Sequence, residues 1–151
     1  MYHYAPSTLV ILLRDEGSIF DAPVQEVWDF VGSREPHAAA HRHRSVRRER
    51  EHENSGSYSW EQDFEGQPAR FTMRWTSFHP LGIAYEVLEG PFSGSKFFLY
   101  YVPHGNRTGV DLVGVFTSPS IPDGRLEESV RRFFAVEFEQ DQAGLAEFRR
   151  R

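Results

Sequence analysis

The stretch Phe20–Val31 reads FDAPVQEVWDFV, and its reading decides how the rest of the chain is parsed. Asp21 offers a capping carboxylate, and Pro23 falls in a first helical turn, where its missing N–H costs nothing. Val24, Val27, Trp28 and Val31 then recur at helical spacing and form one apolar stripe. Gly32-Ser33 breaks the pattern. Upstream, Leu9 to Phe20 opens with leucines and β-branched residues and predicts a first strand, preceded by a flexible segment over 1–8. Downstream, Arg34 to Ala40 predicts a second short helix.

After that helix the pattern changes. Turn signals at Asn54-Ser-Gly56, Glu65-Gly-Gln-Pro68, His79-Pro-Leu-Gly82, Gly90-Pro-Phe-Ser-Gly94 and His104-Gly-Asn-Arg107 separate short strands, as in an antiparallel meander. A turn at Gly66-Gln67 would set Tyr58 opposite Trp75, Trp60 opposite Met73, Gln62 opposite Phe71 and Phe64 opposite Ala69. The other face would then pair Asp63 with Arg70. A turn at Gly105-Asn106 sets Tyr101 against Val110 and Leu99 against Leu112, with Asp111 outward beside Tyr100. One face of this sheet is broad and aromatic, and it needs a cover.

The last element supplies it. Asp123, as a cap, and the acidic residues after it start a helix predicted to run to about Phe148. Leu126, Val130, Phe133, Phe134, Leu145 and Phe148 fall on one side of that helix. Glu137 and Asp141, one turn apart, project into the same apolar sector. A carboxylate there is expensive unless it meets water, a partner or a ligand.

Composition narrows the function classes. The 151 residues are of single-domain size, and 15% of them are aromatic in a chain of acidic net charge, −5. So many rings either pack a core or line a cavity. With no cysteine, disulfides and thiolate metal sites are excluded. No run approaches the ~20 apolar residues of a membrane span, and the N-terminus lacks the basic start of a signal peptide, so a cytoplasmic protein is expected. Net acidity argues against a nucleic-acid partner. No glycine loop for phosphate, Gly-x-Ser-x-Gly elbow or cofactor motif is present.

The order of strand, two short helices, six-strand meander and long C-terminal helix resembles the START-like superfamily, also called Bet v 1-like, SRPBCC or helix-grip. The residues that carry the resemblance are the turn-helix at Phe20–Val31 and the late hairpin Pro103-His-Gly-Asn-Arg-Thr-Gly-Val110. The bacterial polyketide cyclase/dehydrase and lipid-transport group is the most similar branch. The resemblance implies an α+β fold in which a curved seven-stranded antiparallel sheet grips the C-terminal helix. It also implies a cavity between them for an apolar molecule such as a lipid, isoprenoid or polyketide. A carrier or sensor is one expected role. An enzyme of cyclase/aromatase or dehydratase type, working without metal or cofactor, is another, and a cochaperone-like interaction module a third. Monomer and homodimer stay open.

On this reading Trp60, Phe71, Met73, Trp75, Tyr85, Leu99, Tyr101, Phe134 and Phe138 are the expected pocket lining. Glu137 and Asp141 would orient a ligand or act as general acid or base, with pKa values raised by burial. The histidines of His37–Arg50, HAAAHRHRSVRRER, invite a metal reading, since His37 and His41 share a helical face. Against it, His43 follows at strand spacing and no acidic or cysteine ligand accompanies them nearby. The segment reads more simply as a charged edge strand that discourages sheet-to-sheet aggregation, with His37 or His41 near the cavity entrance.

Overall fold

A computed structural model describes residues 8–151; residues 1–7 of the expected flexible segment lie outside the described part. The strands are β1 (Leu9–Leu13), β2 (Ile19–Phe20), β3 (Arg44–His52), β4 (Ser55–Phe64), β5 (Gln67–Phe78), β6 (Gly82–Glu89), β7 (Lys96–His104) and β8 (Arg107–Phe116). The helices are α1 (Val24–Val31), α2 (Glu35–Ala40) and α3 (Asp123–Arg149). All neighbouring strands run antiparallel, in the order β1-β8-β7-β6-β5-β4-β3, with β2 also paired to β8. β1 and β2 lie along the same strand, so the sheet has the expected seven rows, and α3 covers its aromatic face.

The single first strand is in fact two. Between them Asp15 and Ser18 cap a short 3-10 turn reciprocally, each side chain bonding the other's backbone N–H. Neither Asp21 nor Asp123 acts as a side-chain cap. Pro23 and Pro122 occupy the N-cap positions, and Asp123 sits in the first turn of α3, where its charge suits the helix dipole. Arg149 at the far end of α3 is tied down, its guanidinium 2.7 Å from Glu26 and donating to the Asp21 carbonyl at 2.6 Å.

The β4–β5 hairpin turns at Glu65-Gly66, two residues from the expected pairing: Trp60 faces Phe71, Tyr58 faces Met73 and Glu61 faces Arg70. Both turn residues have positive φ, 50° and 81°, the geometry that two-residue hairpins prefer. Glycine takes the second of these positions, which the expected turn had given to Gln67. Side chains alternate with period two, so a two-residue shift changes partners but leaves every ring on its expected face. The β7–β8 hairpin keeps the expected register, Tyr101 opposite Val110 and Leu99 opposite Leu112. Asp111 does lie on the outer face with Tyr100, yet it is 8% exposed, because Arg14 covers it with a 2.9 Å ion pair.

β3 is an end strand of the sheet, and its residues are exposed except Val46. The buried core gathers Ile11, Leu13, Phe20, Val27, Phe30, Val110, Leu112 and Phe116 under Leu126, Val130, Phe134 and Leu145 of α3. This packing fixes α3 and α1 on the sheet.

α2 approaches α3 closely because position 144 is glycine. A Cβ there would stand 2.5 Å from Ala40 Cβ and 2.8 Å from the Phe30 ring. Gly144→Ala is therefore expected to push α2 off α3 and to destabilise the protein by about 1–3 kcal/mol, an overpacking cost. The gain in helix propensity, about 1 kcal/mol, offsets only part of it. Urea denaturation measures the difference; a more stable variant would show that the helices yield freely.

Candidate functional site: a cavity ending in a histidine–carboxylate cluster

Between the sheet and α3 lies a cavity of about 400 Å3. All the lining residues expected from sequence stand on its wall: Trp60, Phe71, Met73, Trp75, Tyr85, Leu99 and Tyr101 from the sheet, and Phe134, Glu137, Phe138 and Asp141 from α3. Flat rings face one another along the walls. Trp60 stacks on Phe71 at 5.1 Å and 9°, Phe71 on Phe133 at 5.7 Å, and Tyr85 on Phe97 at 5.0 Å. Trp28 of α1 packs edge-on to Tyr101, and its Nε1–H donates to the Pro80 carbonyl at 3.3 Å. Gly32, Arg34, Arg48, Glu49 and Arg50 line the cavity and are exposed, so the opening lies between the start of α2 and the edge strand β3. Arg48 spans it, donating to the Arg34 carbonyl at 2.9 Å and lying over the Tyr58 ring.

The polar part of the wall was only half anticipated. Glu137 and Asp141 do turn inward, with side chains 14% and 16% exposed. Their partners are histidines brought from the far side of the sequence. His41, 6% exposed, caps α2 and bridges both acids: its Nδ1 is 2.9 Å from Glu137 Oε2 and its Nε2 is 2.7 Å from Asp141 Oδ1. His37, one turn earlier, places Nε2 3.0 Å from the same Asp141 oxygen and 3.3 Å from His41 Nε2. Gln140 Oε1 also lies 2.9 Å from His41 Nδ1. Gln62 donates to Glu137 Oε1 at 3.5 Å and accepts from Trp60 Nε1 at 2.6 Å, linking the cluster to the aromatic wall.

His43 belongs here too, although the spacing argument assigned it to the edge. Its ring stacks between His41 and Trp60, and its Nδ1 bonds the Tyr58 hydroxyl at 2.7 Å. Its Nε2 is buried without a hydrogen-bond partner, although Gln62 lies beside it.

Charge follows from these contacts. Burial alone would lower the His41 pKa, but Asp141 and then Glu137 outweigh it and hold the imidazole well above its usual range. Burial would raise Asp141; His41 and His37 reverse this and hold its carboxyl well below the usual range. Asp141 is thus a stable carboxylate, not the high-pKa acid that burial by itself suggests. His43 is pushed down to about 3, by burial first and then by the nearby imidazoles of His41 and His37. Burial raises the hydroxyls of Tyr85 and Tyr101 and, up to about 12, that of Tyr58, so all three are protonated donors at neutral pH.

Two sets of side chains could hold a cation: His37, His41 and Asp141, or His41, His43 and Glu137. The premise that no acid accompanies the histidines therefore fails in three dimensions. The signal was present as two i, i+4 pairs, His37/His41 and Glu137/Asp141, each on one helical face. Nothing local linked one pair to the other. Among the described residues no helix is long and apolar enough to cross a membrane.

Known structures share this architecture. An aromatase/cyclase from Streptomyces sp. R1128 superposes with a TM-score of 0.71 at 18% identity, over 96% of this chain and 97% of that one. A START superfamily protein from Mycobacterium smegmatis gives 0.69 at 11% identity, over 93% and 98%. Ara h 8.0201 gives 0.72 at 8% identity, over 93% and 99%. The chain has the START/Bet v 1-like helix-grip fold. No family profile matches the sequence, and no curated protein matches it significantly. At such identities the likeness to these helix-grip structures concerns the fold alone. Function has to be argued from the cavity.

Proposed function

We propose that the protein binds an apolar, partly flat small molecule in the cavity between sheet and α3, as a carrier or sensor. The observation that carries this reading is the cavity wall: stacked aromatic faces around about 400 Å3, with tyrosine hydroxyls and a histidine–carboxylate cluster among them. That volume lies within the roughly 300–1,000 Å3 of small-molecule sites, which combine apolar walls with a few orienting polar groups. A lipid, isoprenoid or polyketide would put its hydrocarbon against the rings and an oxygen near the tyrosines or the histidine–carboxylate cluster. Among the neighbours of the same fold is an aromatase/cyclase, which agrees with an apolar ligand.

A second reading, an enzyme of cyclase or dehydratase type, is favoured by one observation. The Asp141–His41–Glu137 array sits on the wall of the same cavity and could hold or move a proton beside a bound chain. The two readings differ in whether the ligand emerges chemically changed.

The test is titration with an apolar fluorophore of the anilinonaphthalene type. The wild-type protein is expected to bind it saturably at one site. Met73→Trp, which fills the cavity, is expected to weaken binding at least tenfold, with a urea midpoint near that of the wild type. Equal binding by both would place the probe outside the cavity and remove this reading.

A further inference from the structure

We propose that His37, His41 and Asp141 form a binding site for one divalent transition-metal ion, whose remaining coordination positions open on the cavity. His37 Nε2, His41 Nε2 and Asp141 Oδ1 stand at the corners of a small triangle with sides of 2.7, 3.0 and 3.3 Å. An ion held at about 2.0–2.1 Å by imidazole and carboxylate keeps neighbouring ligand atoms about 2.9–3.4 Å apart, for octahedral and tetrahedral geometry respectively. Two sides fall inside this range and the third about 0.2 Å below it, so only small movements are needed to close on an ion.

In the metal-free protein the triangle is held by hydrogen bonds to Asp141 Oδ1, which an ion would replace. If both imidazoles donate from Nε2 to the one Asp141 oxygen, two N–H groups converge with their nitrogens only 3.3 Å apart. Three lone pairs converging on a cation have no such conflict. The surroundings also match what metal-bound histidine requires. The second ring nitrogen of His41 faces Glu137 Oε2 and Gln140 Oε1, both at 2.9 Å, so Nδ1–H is fixed as the donor, and the ion displaces to solvent the proton that Nε2 carries in the metal-free protein. The competing set of His41, His43 and Glu137 would consume this support, since it takes Glu137 itself as a ligand. The backbone prepares the site as well: His37 and His41 are one turn apart on α2 and its cap, and Gly144 lets that turn seat against Asp141 on α3.

Two imidazoles and one carboxylate suit borderline divalent ions such as zinc, cobalt or iron(II). Three protein ligands leave at least one position open, the pattern of sites that bind a substrate or water on the metal. All three residues line the cavity, so an oxygen of a cavity ligand can reach that position. The metal site is independent of the identity of that ligand, and it is measured without one.

The experiment is titration of the metal-stripped full chain with cobalt(II), followed by its visible absorption and by equilibrium dialysis. One ion per chain is expected, displaced stoichiometrically by zinc(II). His37→Ala leaves the His41 contacts to Glu137 and Asp141 in place and is expected to fold, yet to bind cobalt at least a hundredfold more weakly. Glu137→Gln, whose side chain meets His41 at the supporting nitrogen and not at the coordinating one, is expected to weaken binding about 10–100-fold. Wild-type protein that takes up no cobalt at millimolar concentration would overturn the proposal. So would His37→Ala binding cobalt as tightly as the wild type.

Discussion

Asp141→Ala is expected to destabilise the protein by about 3–5 kcal/mol in urea denaturation at pH 7 with a chelator present, the cost of breaking a buried ion pair from one side. The side chain is nearly enclosed and receives both His41 and His37, at 2.7 and 3.0 Å. Its removal leaves the His41 imidazole, 6% exposed, facing an apolar wall with one acid fewer. His41 must then either keep its charge in a poorly compensated site or give up its proton and weaken its bond to Glu137. His41→Ala combined with Asp141→Ala removes the charge together with its partner, so the double variant is expected to lose less than the sum of the two single losses, by about 1–3 kcal/mol. Strict additivity would show that the pair is not energetically coupled.

Acid is expected to unfold the wild type through His43 before the carboxylates titrate. In the unfolded chain this ring takes up its proton near pH 6.5; in the folded protein it does so only at about 3. Stability from this group is complete above 6.5 and is lost progressively as pH falls toward 3, on the order of 5 kcal/mol in total. Asp141 acts in the same direction at lower pH. Its folded carboxyl is depressed, so its contribution is present above about 4 and lost below that. His41 runs the other way: its folded value is raised, so its contribution is complete below about 6.5 and is lost as pH rises through that folded value. His43→Phe keeps a ring in the stack with Trp60 and removes the titration. Between pH 6.5 and 4.5, with chelator, wild-type stability is expected to fall about 1 kcal/mol per pH unit more steeply than that of the variant. Parallel slopes would mean that His43 is free to protonate in the folded protein.

Much of the architecture can be read from residue patterns because it is set locally. The stripe Val24, Val27, Trp28, Val31 makes α1, and the spacing of Leu126, Val130 and Phe134 makes α3 and orients it toward the sheet. The β4–β5 register is harder to read, since it depends on which turn position the glycine takes. The error of two residues was harmless to the site because a strand's faces repeat every two. The first strand breaks at Asp15-Glu16-Gly17-Ser18 through side-chain caps, which an apolar pattern does not register.

The same contrast governs the site. Glu137 and Asp141 stand out because they are the wrong residues for their stripe, a conflict visible within one helix. The histidines look like part of a polar strand because their partners lie 100 and 104 residues away. Only the seating of α2 on α3, through Gly144, brings the two pairs together. His43 was assigned by its spacing to an edge, yet it precedes β3 and turns its ring inward onto Trp60.

The central claim, that the cavity holds an apolar small molecule, is tested most directly by native mass spectrometry of the protein purified from the organism that makes it. The expected result is one retained molecule, apolar by its partition into organic solvent and absent from Met73→Trp. A bare wild-type chain that also leaves fatty acids, isoprenoids and aromatic polyketides unbound would contradict the account.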